Sequence, residues 1–186
     1  MNMKNSLSKA IYLISFLSIL AIASVILQGI NKTKNLKNDE KGEALFWEGK
    51  NQEVKELWKK EWEEKKEIGI ARKLSVLYIK EGWIKEGIAF HKEALKIYPD
   101  DPKLRFNLSL LYFQAEKWKN AWGELDKIKV NYPLFPNLHY LRGLILEKEG
   151  KEKEAYKEFI NELNNYPECA GAWEKIRLFS KKGIEN

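Results

Sequence analysis

Two histidines, one cysteine and scattered carboxylates are the groups through which this chain could do chemistry. His91 falls on the inward run of an amphipathic stretch beside Gly87 and Leu95. A partly buried, hydrogen-bonded side chain is expected there rather than a catalytic base. His139 stands next to Tyr140 with no second ligand within sequence reach. Cys169 follows Pro167-Glu168, with neither a neighbouring histidine nor a CxxC pair to mark it for redox work. Two histidines and one cysteine make neither a usual structural zinc site nor a disulfide within the chain. The glycines form no phosphate-binding loop and no dinucleotide fingerprint. Carboxylates occupy solvated faces throughout, so no acid/base pair stands out. These residues predict no enzyme, no cofactor and no small-molecule substrate.

Stacking on nucleic-acid bases is the other chemistry that seven tryptophans could offer. Trp58, Trp62, Trp118, Trp122 and Trp173 instead recur at helical spacing and are expected among core positions. The formal charge of +6 is mild, and all 27 acids follow residue 38, interspersed with lysine and arginine. No positive stripe emerges, so nucleic acid is not an expected partner. At 44% hydrophobic and 32% charged, the composition is that of a folded protein.

The elements that would carry these residues follow a 34-residue period. Tyr98-Pro99, Tyr132-Pro133 and Tyr166-Pro167 mark it most clearly. Gly87, Ala121 and Ala155 keep the same beat, as do Gly82, Glu116 and Gly150. A period of this length signals a supersecondary unit stacked on itself. Each unit, 68–101, 102–135 and 136–169, divides near its midpoint into two runs of helical periodicity. Leu74, Leu77 and Tyr78 precede Gly82, and Ile84, Ile88, His91 and Leu95 follow it. Leu108, Leu111 and Tyr112 are answered by Trp118, Ala121, Leu125 and Ile128. Leu141, Leu144 and Ile145 are answered by Ala155, Phe159 and Leu163. No stretch alternates long enough to be a half-buried strand. Small residues at 87, 121 and 155 let two helix axes approach to the usual 8–10 Å. Pro102 and Pro136 are expected to open helices, with Asp101 as an N-cap. Pro99, Pro133 and Pro167 end them. The tyrosine before each of these is expected to pack over the joint between units.

In this register the chain resembles the tetratricopeptide repeat family. Unit one carries Leu74, Tyr78, Gly82, Gly87, Ala94 and Pro99. Unit two carries Leu108, Tyr112, Trp118, Ala121 and Pro133, and unit three Gly143, Gly150, Ala155, Phe159 and Pro167. Ser75 and Ser109 replace the first glycine of the family pattern, and His91 and Leu125 stand where phenylalanine is common. The resemblance implies an all-α, right-handed solenoid of antiparallel helix hairpins. It further implies a concave groove lined by the first helix of each unit. The residues at its facing positions are Arg72, Val76, Ile79 and Lys80, then Lys103, Phe106, Leu110, Phe113 and Gln114, then Asn137, Tyr140, Leu144, Glu147 and Lys148. Aromatic and aliphatic residues with basic groups at their sides suit a peptide or protein segment with apolar anchors. The competing reading has Phe106, Phe113 and Tyr140 packing on one another or on residues 42–67. The family's clamp for a partner's C-terminal carboxylates is poorly matched: Arg72 and Asn107 fit, whereas Val76, Asn137 and Leu141 do not.

Outside the repeats, residues 42–67 read as a worn repeat or capping hairpin, with Leu45, Gly49, Val54 and Trp58 slipped by one residue. Residues 170–186 read as a capping helix and tail, as a solenoid end requires. Residues 31–41 form a polar linker. Before it, the basic segment 1–9 leads into the uncharged run 10–30, which is about 31 Å long as a helix and matches a bilayer core of ~30 Å. We expect an uncleaved single-pass transmembrane helix. The alternatives are a signal peptide cleaved near Ala21-Ile22-Ala23 and a buried soluble helix. Lysines flank both ends, so positive-inside counting names no side. As a first segment it is expected to export the remainder of the chain, which places the repeats outside the cytoplasm of a prokaryotic cell. The expected function is a membrane-tethered interaction scaffold in assembly of an envelope complex. The rivals are a permanent structural subunit and, far behind, an enzyme.

Overall fold

The computed structural model describes Ser24, Leu27, Gln28 and residues 40–184. The segment expected to cross a membrane lies outside the described residues apart from those three helical positions. No helix among the described residues is long and apolar enough to cross a membrane. The chain divides after Leu57 into two compact units. In the first, residues 40–47 are helical, and Gly49 turns the chain with a φ of 75° before Asn51 begins α1.

The second unit is an all-α solenoid of consecutive helix hairpins. It takes up α1 (Asn51–Lys65) from Trp58 onward and continues through α2 (Ile68–Lys80), α3 (Ile84–Ile97), α4 (Pro102–Gln114), α5 (Trp118–Asn131), α6 (Leu138–Lys148), α7 (Glu152–Asn165) and α8 (Ala170–Lys181). From α2 onward neighbours in sequence pack on one another, and α4 also touches the first helices on either side, α2 and α6. Trp62 of α1 packs edge-on against Phe90 of α3 at 5.5 Å, and its indole N–H donates to Glu93.

The period seen in the sequence is realised atom by atom. Trp83, Lys117 and Lys151 donate their backbone N–H to Tyr78, Tyr112 and Leu146, five residues back, closing the first helix of each repeat. That closure needs a left-handed residue. Gly82, Glu116 and Gly150 supply it with φ of 66°, 57° and 76°. Only Glu116 bears a Cβ in a conformation that penalises one.

The recurring tyrosines are bolts as well as packing. Tyr98 Oη donates to the Lys66 carbonyl at 2.7 Å, Tyr132 to the Asp100 carbonyl at 3.3 Å, and Tyr166 to the Leu134 carbonyl. Each reaches back 32 residues. The acceptor Lys66 keeps the beat of Asp100 and Leu134, although the turn after α1 is shorter and Lys66 is left-handed with a φ of 52°.

The core runs through the repeats rather than stopping at their borders. Leu108, Tyr112, Ala121, Leu125 and Ile128 of the second repeat share one cluster with Leu138, Leu141 and Ile145 of the third. Leu146, Ala155, Phe159 and Leu163 share the next with Ala172, Ile176 and Phe179 of α8. Burying one such side chain contributes about 1.5–3 kcal/mol, so each repeat lends stability to its neighbour. Trp173 departs from the expected core role: it is 54% exposed, its indole N–H bonded to the Pro167 carbonyl.

The start of α6 also departs from expectation. Pro102 opens α4, with the Asp101 carboxylate accepting from the Leu104 N–H at 2.8 Å. Pro136 opens nothing. The residue ahead of it is Phe135, which has no capping oxygen, and Asn137 turns left-handed with a φ of 62°. Helix α6 therefore starts only at Leu138, and its free N–H groups are met from another helix. The buried Glu162 carboxylate of α7 accepts from Asn137 at 2.7 Å, His139 at 3.0 Å and Tyr140 at 3.2 Å.

Candidate peptide groove

Helices α2, α4 and α6 carry most of the residues assigned to the groove. Leu108, Leu111 and Tyr112 face inward on α4, so 106, 110 and 113 fall beside that stripe at helical spacing. Phe106, Leu110, Phe113 and Leu144 are each partly buried against the cluster beneath them. Phe106 leans on Phe135 at 5.2 Å. Tyr140 is likewise partly buried, packed on Phe159 at 5.8 Å, and burial pushes its phenol above the ordinary range. The aromatic residues thus have one side in the core and one side uncovered. Ile79 is half-buried, while Val76, Lys80, Lys103, Gln114 and Lys148 are exposed.

Two assigned residues serve the joints instead. The Arg72 guanidinium meets the Asp101 carboxylate at 2.5 Å, tying α2 to the cap of α4. Asn137 sits in the turn ahead of α6, its side-chain oxygen 3.8 Å from Cys169 Sγ. Glu147, at the α6 end of the face, is held by Lys175 of α8 at 2.6 Å.

The histidines are both occupied by packing. His91 is fully buried, more so than its sequence context suggested. Its Nδ1 lies 2.7 Å from the Gly87 carbonyl, and its Nε2 has no partner. Burial lowers its pKa to about 4, against a smaller opposing pull from the Gly87 carbonyl, so the ring is neutral at neutral pH. His139 is buried in a charged cluster, with Nδ1 2.5 Å from Glu158. Glu158 also receives Arg142 Nε at 3.0 Å, while Arg142 reaches Asp126 and lies 3.8 Å over the Trp122 ring. Burial alone would push Glu158 up; the His139 hydrogen bond and the Arg142 charge outweigh it and hold the carboxyl below its usual range. Among the described residues, no three of His, Cys, Asp and Glu gather as metal ligands would.

Sequence reasoning did not single out two residues that bear on this face. Glu162, which orders the start of α6, acts across 22 to 25 residues and leaves no local signature. Leu178 of α8 was legible: it continues the 34-residue row Val76, Leu110, Leu144, and it is 42% exposed.

A hairpin solenoid whose first helices leave a partly apolar face uncovered is the architecture of a tetratricopeptide-like repeat protein. Solved structures agree on that fold. The chain superposes on a crystal structure of MamA with a TM-score of 0.68 at 17% identity, over 77% of this chain and 85% of that one. For residues 41 to the end of MamA from Desulfovibrio magneticus RS-1 the TM-score is 0.68 at 13% identity, over 79% and 84%. A tetratricopeptide repeat protein from Parabacteroides merdae gives 0.66 at 16% identity, over 79% of this chain and 59% of that one. No family model matches the sequence, and no curated protein does.

Proposed function

We propose that this chain is a protein-interaction scaffold whose first-helix face receives a segment of another protein. The observation that carries the proposal is the half-burial of Phe106, Leu110, Phe113, Tyr140 and Leu144 on α4 and α6. Rings seated in a core on one side and open on the other are rigid anchors, which bind with little loss of side-chain entropy. Lys103 and Lys148 stand at the edges of this face. Residues 10–30 act as a single-pass tether that holds the repeats beside a prokaryotic membrane, outside the cytoplasm. Tethering raises the effective concentration of a weak ligand at the same membrane, as assembly of an envelope complex would use.

The test compares partners recovered by the full-length chain and by a Phe106→Ala/Phe113→Ala variant of equal helicity. Loss of specific partners from the variant is expected. Recovery of the same set by both places binding elsewhere. Membrane fractions washed at alkaline pH should retain the full chain and release one lacking residues 1–30. Release of both would remove the tether from the proposal.

A further inference from the structure

The turn between the second and third repeats differs from its two counterparts. At position twenty-nine the repeats hold Lys96, Val130 and Asn164, and at position thirty-three Asp100, Leu134 and Glu168. The middle turn is thus aliphatic where the other two carry polar or charged groups. Val130 and Leu134 are 80% and 64% exposed. Tyr132 between them is exposed, whereas Tyr98 and Tyr166 are half-buried. Core packing accounts for neither Val130 nor Leu134.

The backbone holds these tips in place. The Phe135 N–H donates to the Tyr132 carbonyl at 3.0 Å, and the Leu138 N–H to the Phe135 carbonyl at 3.1 Å. The Tyr132 and Tyr166 hydroxyls bond the Asp100 and Leu134 carbonyls on either side. The apolar tips are therefore presented with little backbone freedom left to lose on contact. Charge along this stretch of chain is basic, with no acid from residue 127 to 146. Lys129 has no ion pair among the described residues. The acids just before it are engaged: Glu124 takes Arg105 and Lys127 at 2.7 and 2.9 Å, and Asp126 takes Arg142 at 2.5 Å. Asp100 shares a cleft with Arg105, Lys127 and Tyr132.

Three side chains between residues 130 and 134 cover far less than the ~800 Å² per partner that a stable protein interface buries. Exposed aliphatic tips beside a tyrosine and a lysine instead match what settles at a bilayer interface, the aromatic ring at headgroup depth and the cation toward anionic lipid. Resting on the tether reading above for bringing a bilayer within reach, we propose that the turn 129–134 is a second membrane contact. Val130 and Leu134 enter the interfacial layer of an anionic bilayer, Tyr132 lies among the headgroups, and Lys129 meets lipid phosphate. A chain already held at the membrane needs little added affinity, so a small wedge suffices. The contact orients the repeats against the membrane rather than attaching them.

The test places a nitroxide on the full-length chain, one chain per nanodisc, in discs containing phosphatidylglycerol. Two labelled variants are compared in a Cys169→Ser background, Asn131→Cys and Asn164→Cys, which replace exposed asparagines of the middle and last turns. Power saturation then measures access of oxygen, which enters lipid, against that of a polar nickel chelate, which does not. The oxygen-to-nickel ratio is expected to be about threefold or more higher at 131 than at 164, as immersion in the interface requires. Adding Val130→Asp/Leu134→Asp should bring the two sites level at unchanged thermal unfolding. Equal ratios in the parent background, or a ratio at 131 indifferent to the double aspartate variant, overturns the inference. So does shielding of 131 from both reagents only when two chains share a disc, which assigns the turn to contact between copies. A chain that stays off the discs removes the tether instead. Flotation of that full-length chain with preformed vesicles of the same lipid then decides the turn. Binding lost in Val130→Asp/Leu134→Asp supports it, and no binding, or binding that survives the change, overturns it.

Discussion

The first and third repeats share one backbone plan and fill it in opposite ways. At position eight the first has Ser75, whose hydroxyl donates to the Ala71 carbonyl, and the third has Gly143. At position twenty-four the first has His91 and the third has Phe159. In the third repeat the large ring lies on the bare glycine backbone: a Cβ at Gly143 would stand 2.5 Å from Phe159. Where position eight carries a hydroxyl, position twenty-four is smaller, as with Ser109 and Leu125 in the second repeat. The two positions behave as one volume divided differently. The polar groups divide likewise. Repeat one buries the Ser75 hydroxyl and the neutral His91 imidazole, and repeat three holds Arg142, Glu158, His139 and Glu162 in or beside its core.

The largest effect should come from the long-range cap. Glu162→Ala strands three N–H groups at the start of α6, so unfolding free energy should fall by about 3 kcal/mol in denaturant titrations. A fall no larger than that caused by Asp101→Ala would show that the long-range cap is no stronger than the local one.

The two repeats should also answer acid differently. His91 is neutral in the folded chain until about pH 4, whereas the unfolded chain takes up the proton near its ordinary value of 6.5. Between those values the unfolded state binds more protons, so stability is complete above about pH 6.5 and is lost as pH falls toward 4. The loss is of order 2–3 kcal/mol. Glu158, held below its usual range, contributes stability that persists until the pH drops below the ordinary carboxylate value. Stability curves from pH 7.5 to 4.5 should therefore flatten in His91→Leu. A slope unchanged by His91→Leu would assign the acid sensitivity elsewhere.

Gly143→Ala should cost about 2 kcal/mol by forcing Phe159 aside, and adding Phe159→Leu should restore part of it, reproducing the division used by repeat two. Full additivity of the two losses would show that the positions do not share a volume. The smallest expected change is in Asp101→Ala, about 1–1.5 kcal/mol in thermal or chemical melts, since it removes a local cap and an ion pair with the exposed Arg72.

The hairpin plan was legible because repetition multiplies weak signals. Pro99, Pro133 and Pro167, with their tyrosines, each said little alone and together set the register. What escaped was whatever depended on partners distant in sequence. Pro136 reads as a helix opener, yet the capping group is Glu162 on α7, and α6 starts two residues later, at Leu138. Trp173 reads as core by its spacing, yet no second helix comes after α8 among the described residues to cover it. For the groove, Phe106, Leu110 and Phe113 were placed by register, while Arg72 was already engaged by Asp101. An ion pair across a joint cannot be seen in either copy of the pattern.

The tyrosine bolts bear on how such an array changes over time. Each accepting group is a backbone carbonyl, which is the same whether it belongs to lysine, aspartate or leucine, as at 66, 100 and 134. Half of every joint is therefore indifferent to substitution, and only the tyrosine and the distance between the two partners must persist. Copies of such a repeat can diverge in sequence while the stacking geometry endures. This chain shares its architecture with solved structures at 13–17% identity.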